Sequence, residues 1–162
     1  MASLDPAAAL ALLAANPHHI ASVTEGLSEK QLTWKPSSES WSIHEVVVHL
    51  RACSDVWGES IEKILQQQNP TIKYVSPRTW VRKTNYLDQD FQSSFSAFRA
   101  QRQDLLRILK PLGEKDWMRT ANVKAANVRT ETVLSYAERL AAHEAGHCGQ
   151  IDRILQAMPL SR

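Results

Sequence analysis

Val46, Leu50, Cys53, Trp57, Ile61 and Ile64 recur at intervals of three and four, and only an α-helix with one buried face brings such a pattern onto a single side. The pattern predicts a long amphipathic helix opening at Ser42, with Glu45 three residues on as its capping-box partner. It continues to about Gln68 and stops at Asn69-Pro70. A chain that carries one such helix needs other apolar faces to cover it.

Three further segments supply them. Asp5-Pro6 reads as an N-cap followed by proline at the first helical position, with Leu10, Leu13, Ile20, Val23 and Leu27 as the stripe behind it. Pro17 lies inside that stripe and predicts a kink or a break, and Gly26 is the expected stop. Ser28 to Gln31 reads as a capping box for one short turn. A third long helix is expected from Asp88 to Lys110, burying Phe91, Phe95, Phe98, Leu105 and Leu109, with Pro111 and Gly113 beyond it. The last is expected from a cap at Thr130 through Val133, Tyr136, Leu140, Ile151 and Ile154 to Ala157. Residues 71–87 lose the periodicity and read as a long connection anchored by Tyr74 and Trp80. No segment reads as a β-strand. The expected fold is therefore all-α, a four-helix bundle formed by one domain over residues 1–162.

Charge narrows the function classes. Nineteen basic against seventeen acidic side chains leave a formal net charge of +2, which gives no reason to expect a nucleic-acid or membrane partner. The apolar run from Ala7 to Ala15 lacks a basic leader and is closed by Asn16-Pro17, so it reads as helix rather than as a signal or a membrane span. Cys53 and Cys148 are far apart, without metal or disulfide spacing, and read as small buried hydrophobes. A reducing, cytoplasmic setting is expected.

The six histidines divide by position. His143 and His147 are spaced i, i+4 on the last helix, about 40° apart around its axis, on the face shared with Leu140, Ile151 and Ile154. Two imidazoles turned into a core need partners, and either a divalent ion or ordinary hydrogen bonds would supply them. A metal normally takes three protein ligands, and His49 is the one other histidine within a strong apolar face. His44 points to another side of its helix, and His18 and His19 read as surface residues.

The stretch from Trp41-Ser42 through His49-Leu50, and the run His143-Glu144-Ala145-Gly146-His147-Cys148-Gly149-Gln150-Ile151, resemble the two signatures of the DinB-like family. Leu27-Ser28-Glu29 through Trp34-Lys35-Pro36 is similar as well, so the likeness extends over nearly the whole chain. The resemblance implies a four-helix bundle with His49, His143 and His147 holding one divalent metal ion between the second and fourth long helices. Zinc or nickel is expected first, and iron or manganese are compatible with the same imidazoles. Family members with known activity imply a metal-dependent transferase using a low-molecular-weight thiol on a small-molecule substrate. A metal-dependent hydrolase and a non-catalytic metal-binding stress protein are the alternatives. The resemblance also implies a homodimer, for which no residue marks an interface.

Other residues could complete the site. Gln150 lies three positions after His147 and could reach an open metal position or a substrate, or else pack as an amide between helices. Glu45 lies one turn before His49 and could accept a proton or a hydrogen bond there, beside its capping role. Lys73, Arg78, Arg82 and Lys83 sit in the long connection, either simply solvated or meeting an anionic thiol or substrate. His143 to His147 is also an HExxH string, but a zincin protease needs a downstream third ligand and a β-edge for its substrate, and neither is visible. Glu144, about 100° from His143, is expected to point away from the metal into an ion pair.

Overall fold

The computed structural model describes residues 4–159. Four long helices dominate: α1 (Pro6–Thr24), α3 (Ile43–Gln66), α5 (Phe91–Leu109) and α7 (Val133–Ala157), with the short turns α2 (Glu29–Leu32), α4 (Pro77–Val81) and α6 (Glu114–Trp117) between them. The four long helices and α2 begin at residues whose side chains cap them. Asp5 accepts from the Ala8 amide, and Ser28 with Gln31 and Ser42 with Glu45 form the two expected capping boxes. Asp90 caps α5, two residues later than the sequence reading started that helix. Gly26, at φ +75°, takes the left-handed turn after α1 that a side chain would resist.

Around the bundle, α1 packs on α5 and α7, and α3 packs on those same two helices. The consecutive long helices α1 and α3 therefore lie diagonally, and α3 meets α7 along a seam that carries the histidines. The core has two halves. One gathers Leu13, Trp57, Ile61, Leu105, Leu109, Tyr136 and Leu140, and the other Ile20, Val46, Leu50, Phe95, Phe98, Ile151 and Ile154.

Of the kink or break expected at Pro17, the break is absent: α1 is continuous from Pro6 to Thr24 with Pro17 itself buried. Packing of Leu13, Pro17 and Ile20 against the bundle outweighs the lost backbone bond. A small sheet is also present, although no strand was expected. Strands β1 (Thr71–Lys73), β2 (Thr120–Lys124) and β3 (Val128–Thr132) lie in that order, β1 parallel and β3 antiparallel to β2. Only Ile72, Ala121, Val123 and Glu131 are buried in it, too few positions to print a period-two pattern. Pairing of β3 through Thr132 with Thr120 moves the start of α7, so Thr132 rather than Thr130 is the cap.

Candidate metal centre

The seam between α3 and α7 brings His49, His143 and His147 together. His143 Nε2 lies 3.4 Å from His49 Nε2 and 3.3 Å from His147 Nε2. At a tetrahedral ion with bonds of about 2.0–2.1 Å, ligand nitrogens stand roughly 3.3–3.4 Å apart, and the two contacts that His143 makes match that spacing. Aromatic rings confine the imidazoles. Trp41 stacks on His147 at 5.9 Å with an interplanar angle of 8° and meets His49 edge-on at 5.0 Å, while Trp57 meets His143 at 5.1 Å. The Trp41-Ser42 pair thus has two uses: the serine starts α3 and the tryptophan walls the site.

Hydrogen bonding assigns the ring nitrogens. His147 Nδ1 lies 2.7 Å from Gln150 Oε1, so its N–H donates to that oxygen and its Nε2 presents a lone pair to the cluster. The second nitrogen of His49, Nδ1, is buried with no partner among the described residues. Three imidazole Nε2 atoms thus lie in a chain of contacts through His143, and neutral imidazole nitrogens so placed are donors that a divalent cation can share.

The trio lies on the wall of a cavity of about 630 Å³. His143, His147, Gln150, Ile154 and Ala157 line it from α7 at intervals of four, three, four and three, with Arg153 beside them. Trp41, His49, Ser76, Pro77 and Arg78 are on the same lining, and Glu39 is its sole carboxylate among the described residues. Trp41, His49 and Arg78 also wall a neighbouring hollow of about 220 Å³ with Val48, Val81 and Leu87.

The family model of the DinB superfamily matches residues 12–151. This chain belongs to the DinB superfamily. Among solved structures, YfiT from Bacillus subtilis, described as a probable metal-dependent hydrolase with an unusual four-helix bundle topology, matches with a TM-score of 0.84 at 16% identity. That match covers 99% of this chain and 91% of the other, and at that identity it establishes a shared fold. No curated protein matches the sequence.

In this DinB-superfamily chain, burial pushes the His49 imidazole down to about 3, and His147, His143 and Arg78 push in the same direction. Burial, then His147, lowers His143 to about 4. His147 is lowered as well, by burial and more weakly by Arg78, against the opposing Gln150 bond. All three are therefore neutral near pH 7, the form that donates a lone pair. A different donor set, His49, Cys53 and His143, also lies within 4.8 Å. Cys53 Sγ is 3.5 Å from His49 Nε2 and 3.9 Å from His143 Nδ1. It is fully buried and absent from the cavity lining, and burial raises its thiol far above the ordinary range. His49, His143 and His147 all line the cavity, and Cys53 does not.

The remaining candidates fall into place around this centre. Gln150 orients His147 rather than packing between helices. Glu45 caps α3 through the Ser42 amide and pairs with Lys35 at 2.7 Å; burial alone would raise its carboxyl, but these partners hold it below its ordinary value. Glu144 is 0% exposed and pairs with Arg102, so it cannot act as the base of an HExxH protease. His19 pairs with Asp152 at 2.9 Å, and His18 is exposed. Of the basic residues in the connection, Arg78 lines the main cavity and Arg82 the smaller hollow, whereas Lys73 lies elsewhere and Lys83 lines neither. Arg153 went unnoticed in the sequence, although it is three residues past Gln150. Both cysteines are buried and free, as expected.

Proposed function

We propose that His49, His143 and His147 hold one divalent ion, zinc or nickel first, and that the chain is a metal-dependent transferase using a low-molecular-weight thiol. The convergence of three Nε2 atoms on the wall of a cavity carries this reading, because three protein ligands leave a position open to a small molecule. When bound, such an ion favours the deprotonated form of a thiol or water in that position. Gln150 holds the His147 tautomer, Trp41 and Trp57 fix the ring planes, and the cavity admits the second reactant.

The choice of thiol over water rests on the missing proton acceptor. Glu45 and Glu144 are both committed to other partners, and Glu39 is an exposed residue among the cavity-lining groups. A thiol, with an ordinary pKa near about 8.5, needs less help to ionise than water does. Hydrolysis is the second reading, supported by the description of YfiT.

Conjugation of small thiols to monochlorobimane tests the proposal. The zinc- or nickel-loaded protein should accelerate it, and His147→Gln should abolish the acceleration. Rates equal to those without protein for several thiols, together with metal-dependent cleavage of ester or amide substrates, would transfer the case to the hydrolase.

A further inference from the structure

Arg78 and Arg153 both line the cavity, one carried by α4 and one by α7. Neither forms an ion pair with any described carboxylate. Arg78 has only the face of Trp41, its guanidinium carbon 5.4 Å from the ring centroid. Several other charges are balanced by carboxylates: Arg102 by Glu144, Arg139 and Arg129 by Glu131, Lys35 by Glu45. In the cavity the three imidazoles are neutral donors, Glu39 is the one lining carboxylate among the described residues, and Glu45, which lines the adjoining hollow, is paired with Lys35. A divalent ion held by neutral ligands would add two further positive charges to the same wall.

We propose that the cavity selects small molecules bearing an anionic group, a carboxylate, phosphate or sulfonate, which Arg78 and Arg153 hold while the reacting end lies at the three histidines. A guanidinium presents a planar fork of donors that matches such oxygens, and Arg78 is already oriented by its stacking on Trp41. Trp41, Pro77, Ile154 and Ala157 add apolar surface to the same lining, which suits a short hydrocarbon body. The location of the reacting end rests on the metal reading above; the anion-binding role of the two arginines does not.

Two binding measurements separate these claims. In metal-free protein, propane-1-sulfonate titrated against ¹⁵N-labelled chain should give saturable shifts at the Arg78 and Arg153 side-chain Nε–H groups, and Arg78→Gln/Arg153→Gln should lose saturable binding. In cobalt-loaded protein, 3-mercaptopropane-1-sulfonate should bind about tenfold more tightly than its neutral isostere 3-mercaptopropan-1-ol, as read from the sulfur-to-metal absorption band. The double variant should bind both thiols within about twofold, and added salt should erode the wild-type preference. Equal affinity of the two thiols for wild type, with the band present, would overturn the anion claim and leave the metal reading intact. Saturable sulfonate binding without any cobalt uptake would do the reverse. Sulfonate shifts absent from the wild type, or unchanged in the double variant, would overturn the anion claim whatever the metal result.

Discussion

His143 and Glu144 are neighbours in sequence and about 100° apart on α7, and they anchor two polar clusters of opposite character. Glu144 turns inward to a sealed group. It pairs with Arg102 of α5, which also donates to Ser54 Oγ at 3.0 Å, and Asn16 of α1 donates to the Ala141 carbonyl at 3.2 Å. Burial pushes the Glu144 carboxyl above its ordinary range, against the pull of the Arg102 guanidinium. This group fills the layer between the two halves of the core and offers nothing to solvent. His143 turns to the cavity, where its Nε2 stands between those of His49 and His147. The first cluster balances its charge inside the bundle and ties four helices together, although Arg102 Nε and Nη1 have no partner among the described residues, whereas the second faces a cavity open to something that arrives from outside.

Breaking the sealed cluster should have the largest effect on stability. Glu144→Gln leaves Arg102 charged and buried, and should lower the unfolding free energy by about 3–5 kcal/mol in urea denaturation. Replacing both partners, as Arg102→Met/Glu144→Met, should recover most of that loss. His147→Gln should change the metal-free protein by less than about 1 kcal/mol. Similar losses for Glu144→Gln and His147→Gln would erase the contrast between the two clusters.

Gln150 sharpens the contrast from the other side. Gln150→Leu removes the acceptor for His147 Nδ1–H and should weaken metal binding roughly 10–100-fold while leaving metal-free stability near wild type. Isothermal titration with zinc and a competing chelator would measure it. Unchanged affinity would mean that Gln150 does not orient the ring.

The smallest effect is on pH dependence. In the unfolded chain the three histidines titrate near about 6.5, while in the fold His49 and His143 are lowered to about 3 and about 4, with His147 lowered too. Between these values the unfolded chain binds more protons, so stability rises with pH. The contribution is complete above about 6.5 and is lost as pH falls toward the folded values. Metal-free protein should therefore lose stability from about pH 6.5 to pH 5, before most carboxylates titrate, and His49→Gln/His143→Gln/His147→Gln should be flatter over that interval. An identical slope in the triple variant would show that these imidazoles are not held neutral.

The bundle and its histidines were readable because α3 and α7 are long and strongly periodic, so 49, 143 and 147 could be assigned to apolar faces before any packing was known. The polar layer was half legible: Glu144 was expected in an ion pair, but its partner Arg102 was not identified. Phe91, Phe95, Phe98, Arg102, Leu105 and Leu109 step along α5 at fours and threes, and Arg102 is the charged residue at a core position. Leu140, Glu144, Cys148 and Ile151 do the same on α7. A charge in each of two facing stripes is a signal for a buried pair. The sheet was not legible, since β1 has three residues and β3 is exposed at three of its five. Nor was the position of Arg78, which depends on the turn α4 and on Trp80 and Tyr86, whose side chains both donate to Asp55 Oδ2, at 2.9 Å and 2.8 Å.

Zinc content measured by elemental analysis, after loading and exhaustive dialysis at neutral pH, tests the central claim most directly. Wild type and Cys53→Ala should each retain about one ion per chain, and His49→Gln and His147→Gln should retain little or none. Full occupancy in His147→Gln with loss in Cys53→Ala would move the site to His49, Cys53 and His143, and equal content in all four proteins would contradict a histidine metal centre altogether.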